Sequence, residues 1–197
     1  MLDKIKLNII SNRKLCENEN LEKQIKKIFL AYEKKIILKN FDIVALTLRE
    51  KDLNKNEYLK LIEKVYPICQ KYKINLILHQ NYDLNLDDKY NIEGIHLSYS
   101  IFKSLNQNIK AELIKKYKRI GVSIHSLDEA KEVENLGASY VIAGHIFETD
   151  CKKGLKPRGL KFVEDLSSAL TLSLIHISEP TRPEPISYAV FCLKKKS

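Results

Sequence analysis

The sequence predicts a parallel α/β fold. Six short apolar runs of strand length recur along the chain, amphipathic stretches with helical spacing separate them, and the repeat is about 20 to 35 residues. Strand, helix, strand in that order implies parallel pairing through right-handed crossovers. At 197 residues one domain is the default. A (β/α)₈ barrel and a doubly wound sheet both satisfy the pattern. No G-x-G-x-x-G or G-x-x-x-x-G-K-[ST] follows the first run, which lowers the weight of nucleotide-binding sheets.

The runs are Lys6 to Ile10, Asp42 to Leu48, Ile74 to Leu78, Gly94 to Leu97, Arg119 to Ile124 and Tyr140 to Ala143. Each is rich in β-branched residues or leucine. Between the first two, apolar residues at 21, 25, 28, 29 and 32 mark a helix over 21 to 38. Tyr58, Leu61, Ile62, Val65 and Ile68 form a second helical face. Ser126 reads as the N-cap of a third helix, with Glu129 completing a capping box and Gly137 ending it.

Composition narrows the function classes. Hydrophobic residues at 44% and charged residues at 30% describe a globular chain. No apolar run approaches the ~20 residues of a membrane span, and the first residues lack a signal-peptide core, so the expected location is the cytoplasm. The cysteines (Cys16, Cys69, Cys151, Cys192) are scattered, which argues against a zinc site or disulfide framework. The net charge of +9 is spread over helical segments, without the basic, aromatic-laced face of a nucleic-acid binder. Such a field suits a small anionic substrate.

The character changes after Leu170. Ser173 to Ser178 and Ile186 to Leu193 each read as strand, but Glu179 to Pro185 holds three of the five prolines. No crossover helix fits there, and parallel neighbours need a dozen or more linking residues. Residues from about 173 on are similar to the conceptual translation of sequencing-adapter DNA, which implies a non-native segment.

In a parallel barrel the chemistry gathers at the C-terminal ends of the strands. Those ends carry Thr47-Leu-Arg-Glu-Lys51, His79-Gln-Asn81, His96 to Ser100, Ser123-Ile-His125 and Gly144 to Gly154. Four of the five histidines lie there. Histidine exchanges protons near neutral pH without a metal. Arg49, Lys51, Lys152 and Lys153 are candidate clamps for phosphate or carboxylate. The bland alternatives are a His96 that points inward and bonds a neighbour, surface ion pairs between Glu50 and the flanking Arg49 and Lys51, and solvated lysines at 152 and 153. Metal spacing is absent from the histidines, and carboxylates are scarce at the ends.

Leu46 to Lys51, Gly94-Ile-His-Leu97, Ile120 to Ser126 and Gly144-His-Ile-Phe-Glu-Thr149, taken in order, resemble the thiamine phosphate synthase/TenI superfamily over residues 5 to 170. The resemblance implies an α/β (β/α)₈ (TIM) barrel, here truncated after the sixth βα unit. Residues 1–170 would form the partial barrel domain and 171–197 a non-native or disordered tail. It also implies that the usual phosphate-binding loops after strands seven and eight are missing. The expected results are an open sheet edge, aggregation and an inactive chain.

Within the superfamily, synthases typically carry Asn-Asp-Arg after strand three and an acidic pair after strand four. Here those places read His79-Gln80-Asn81 and His96 to Ile101. The stretch Gly144 to Gly159 is similar to the TenI-type thiazole tautomerases. The implied reaction is a metal-independent proton shift that aromatises a carboxylated thiazole phosphate. His125 would be the catalytic acid/base, and Arg49, Lys51, His79, Ser123, His145, Thr149 and Lys152 would contact substrate. No cofactor is expected, with magnesium needed only for the alternative, a thiamine phosphate synthase joining a pyrimidine diphosphate to a thiazole phosphate. A non-catalytic regulatory barrel is the second alternative. The partner is the small phosphorylated thiazole, with no nucleic acid or membrane, and a homo-oligomer is left open.

Overall fold

Apolar residues on both faces of the six runs make each one a strand buried between an inner core and an outer layer of helices. In the computed structural model, which describes residues 5–36, 41–81, 86, 90–146, 157–178 and 190–194, these strands are β1 (Ile5–Ile10), β2 (Phe41–Leu48), β3 (Asn75–His79), β4 (Gly94–Ser98), β5 (Arg119–Ile124) and β6 (Tyr140–Ala143). The helices are α1 (Leu21–Glu33), α2 (Lys55–Lys71), α3 (Tyr99–Ser104), α4 (Gln107–Lys116), α5 (Leu127–Asn135) and α6 (Gly159–Ala169). Neighbours from β1 to β6 pair in parallel and in sequence order.

Alternation along each strand sorts the core in two. Leu46, Leu48, Leu76, Leu78, Ile95, Leu97, Val122 and Val141 face outward into a cluster with Phe29, Tyr58, Ile62, Phe102 and Val133 of the helices. Burying each such side chain contributes ~1.5–3 kcal/mol. Ala45, Ile77, Tyr140, Ile142 and Ile175 form a smaller cluster inside the ring. The helices start where polar caps permit. Asn54 and Glu57 form a full capping box on α2. Ser126 caps α5 by accepting from Glu129 N, but the Glu129 carboxylate accepts from His125 N rather than from the cap.

The barrel class holds, and among the described residues two strands follow the sixth βα unit. Residues 173–178 form β7 (Ser173–Ser178), parallel to β6. Residues 190–194 form β8 (Val190–Lys194), which runs antiparallel to both β7 and β1 and closes the ring. The open edge expected after the sixth unit is therefore not found. The physical reason lies in the proline-rich link: a chain that cannot build a crossover helix can still return antiparallel. Because β8 is reversed, its C-terminal end lies at the face opposite the mouth.

Candidate active site

The mouth is assembled from the ends of β2 to β6. At β1 and β2, Ser11 N donates to Thr47 O (2.9 Å) and Arg49 N donates to Ser11 Oγ (2.8 Å). Ser11 Oγ donates to Glu50 Oε1 at 2.6 Å, and Arg13 N donates to both Glu50 carboxylate oxygens at 3.1 Å. Glu50 is thus a buried carboxylate that ties two strand ends together, not the surface partner of Arg49 and Lys51. Those two cations keep no carboxylate among the described residues. Burial, then the Arg49 guanidinium, hold the Lys51 ammonium below the usual lysine range. Two cations without an anion make a place for one.

At β3, Tyr58 of α2 staples two strand ends: its hydroxyl donates to Leu48 O (2.5 Å) and accepts from His79 N (3.2 Å). The His79 ring stacks on that of His96, with centroids 5.7 Å apart. Burial, then the neighbouring His96 and the Arg49 and Lys51 cations, push His79 down to about 2. Burial and Arg49 push His96 down to about 3. Both rings are neutral imidazoles at neutral pH.

Inside the ring, His96 points inward and bonds its neighbours. His96 Nδ1 lies 3.3 Å from Tyr140 Oη, and His96 Nε2 lies 2.8 Å from Ser123 Oγ. Burial raises the Tyr140 phenol above its ordinary range, so it keeps its proton. Nδ1 is the acceptor available to that hydroxyl among the described residues, which assigns the proton on His96 to Nε2. Nε2–H then donates to Ser123 Oγ and leaves the serine O–H free for a ligand.

At β5 and β6, His125 is half exposed, with Nδ1 3.6 Å from Glu129 Oε2 and its backbone N donating to the same oxygen at 2.6 Å. Arg158 braces both ends: Nε donates to His125 O (2.9 Å), Nη1 to Gly144 O (3.2 Å), and its backbone N to His145 O (3.0 Å). His145 is buried in left-handed backbone, φ 61°. A non-glycine residue held there costs ~1–3 kcal/mol, and such strain concentrates at functional sites.

The structure therefore places Arg49, Lys51 and His79 on one side of the mouth, at β2 and β3. Ser123, His125 and His145 lie at β5 and β6. Thr149, Lys152 and Lys153 lie outside the described residues. Glu50, Tyr140 and Arg158 were not among the sequence candidates, although Arg158 sits within the distinctive stretch up to Gly159. For magnesium, a hard ion needing oxygen ligands, the described residues fit poorly: both Glu50 oxygens are taken up by the Ser11 O–H and the Arg13 N–H, and no group of three or more His, Cys, Asp or Glu side chains could hold a metal.

The neutral histidines carry a consequence for acid stability. Their folded pKa lies below the unfolded value of about 6.5, so the unfolded state binds more protons once pH drops below that value. Their contribution is present above pH ~6.5 and is lost as pH falls toward about 3, at up to ~1.4 kcal/mol per pH unit per histidine. Urea midpoints measured from pH 7 to 4 should fall steeply, and His79→Asn should flatten the slope; an unchanged slope would show that His79 is not buried neutral.

The comparisons agree with this architecture. The family model described as thiamine monophosphate synthase matches residues 7–181. The chain is 26% identical to the thiamine-phosphate synthase of Clostridium tetani over 171 residues, covering 87% of this chain and 75% of that one. It is 32% identical to the putative thiamine-phosphate synthase 2 of Aquifex aeolicus over 145 residues, 73% of each chain. Among solved structures, the thiamine phosphate pyrophosphorylase of Pyrococcus furiosus superposes with a TM-score of 0.68 at 20% identity, covering 90% of this chain and 77% of that one, which bears on the fold. Among the described residues no helix is long and apolar enough to cross a membrane. With a family model matching most of its length and these relatives beside it, the chain belongs to the thiamine monophosphate synthase (TMP-TenI) family, an enzyme family of thiamine biosynthesis.

Proposed function

We propose that this chain acts on a phosphorylated thiazole and aromatises its carboxylated form by a metal-independent proton shift. The observation that carries the reading is the chemistry of the mouth. A half-exposed histidine stands at β5, two cations that meet no carboxylate among the described residues stand at β2, and the buried Glu50 carboxylate at the mouth is saturated by hydrogen bonds. His125 takes the proton from the ring carbon and returns one to the exocyclic carbon. Aromatisation supplies the driving force, so positioning and one acid/base group suffice. Arg49 and Lys51 hold the carboxylate or phosphate, Ser123 donates its free O–H, His79 lines the substrate as a neutral ring and His145 through its left-handed backbone turn. Thr149 and Lys152 are assigned to the same substrate.

A second reading has its own support. The relatives named above are called thiamine-phosphate synthases, and by kinship this favours coupling of a pyrimidine diphosphate to the thiazole phosphate.

The purified chain should be given each substrate set with EDTA and with added magnesium. Aromatisation that ignores EDTA, with no pyrophosphate released, supports the proton shift. Magnesium-dependent pyrophosphate release establishes the synthase instead. Neither activity, in folded protein, leaves the non-catalytic barrel.

A further inference from the structure

At the face opposite the mouth, the N-terminal ends of the strands enclose a cavity of about 260 Å³. Lys6 and Asn8 reach it from β1, Lys118 and Arg119 from the start of β5, Tyr140 from β6 and Ser173 from β7. Lys118 Nζ and Arg119 Nε share one carboxylate, Glu93, each at 3.6 Å. Lys6 has no carboxylate partner among the described residues. Three cations therefore face one anion.

The second observation is buried. Asn8 is 2% exposed and its Oδ1 accepts from Thr47 Oγ1 at 3.2 Å. Among the described residues nothing accepts from its amide nitrogen, which is left for the cavity that Asn8 lines. Tyr140, 4% exposed, closes the same wall with its ring. Donors thus converge from three different strands around the ring, β1, β5 and β7, an arrangement suited to a tetrahedral oxyanion rather than to a flat carboxylate.

We propose that this cavity binds a small anion of the phosphate class, inorganic phosphate or a compact phosphomonoester. The site is separate from the mouth and does not depend on the reaction performed there.

The test is amide chemical-shift mapping of the full ¹⁵N-labelled chain, titrated with inorganic phosphate and, separately, with acetate at matched ionic strength. Phosphate should shift the Arg119, Tyr140 and Ser173 amides saturably. Binding should weaken about tenfold or more in Asn8→Ala, and persist in Arg49→Gln/Lys51→Gln. Should Asn8→Ala fail to fold, Lys6→Gln/Lys118→Gln removes exposed charge alone and should weaken binding likewise. Absence of saturable shifts at these amides, their loss in the Arg49→Gln/Lys51→Gln variant, or acetate binding as tightly as phosphate would each overturn the proposal.

Discussion

Gly121→Ala is expected to be the most destabilising single-methyl change in the barrel. A Cβ at Gly121 falls 2.0 Å from Tyr140 Cζ and 2.4 Å from its Oη, inside the atoms of the ring. Tyr140 is 4% exposed and packs among Ala45, Ile77, Ile142 and Ile175, so the ring can yield only toward the cavity it lines, away from His96. Overpacking of this kind costs ~1–3 kcal/mol or more, and expelling the ring also breaks the hydrogen bond to His96, worth ~1 kcal/mol. At ~2–4 °C per kcal/mol the melting temperature should drop by roughly 4–16 °C. Adding Tyr140→Leu should restore part of the loss, because the ring is what collides; Tyr140→Phe should not, because Cζ remains. A Gly121→Ala protein that melts with the parent would mean the ring does not cross β5.

His125→Ala should remove ~10²–10⁴-fold of kcat for aromatisation, the usual contribution of a positioned acid/base. The melting temperature should hardly move, since the ring is half exposed and the backbone groups bonded to Glu129 and Arg158 survive truncation. KM should change little, because the clamp lies across the mouth at Arg49 and Lys51. Activity within about twofold of the parent would remove His125 from the acid/base role. The contrast with Arg158→Gln is informative. That change loosens both the β5 and β6 ends, so it should lower kcat and melting temperature together.

Most of the scaffold was legible because strands covered on both faces leave long apolar runs, and the runs from Lys6 to Ala143 coincide with β1 to β6 within a residue or two. The α1 pattern at 21, 25 and 29 was equally direct, since those three residues are the buried ones. What pattern could not reveal was register. Gly121 and Tyr140 are paired across strands, as are His79 with His96 and His96 with Gly121, and pairing is a tertiary property invisible in either run alone. Glu50 misled for a related reason: charges one residue apart look like partners, yet its donors are Ser11 and Arg13, which lie on another strand's loop.

The reversed β8 also bears on how the molecule comes together. Its partners are β7, next in the chain, and β1, at the far end of the chain: Lys6 meets Leu193 and Ile9 meets Val190. Seven parallel strands can accumulate one neighbour at a time through crossovers of modest span, each closing a short loop. The final seam instead joins the two ends of the polypeptide, the longest loop the chain can close, and such non-local pairings form late. Until that seam zips, β1 and β7 are bare edges, so the interval before closure is the moment in the protein's life when one copy is most exposed to pairing with another.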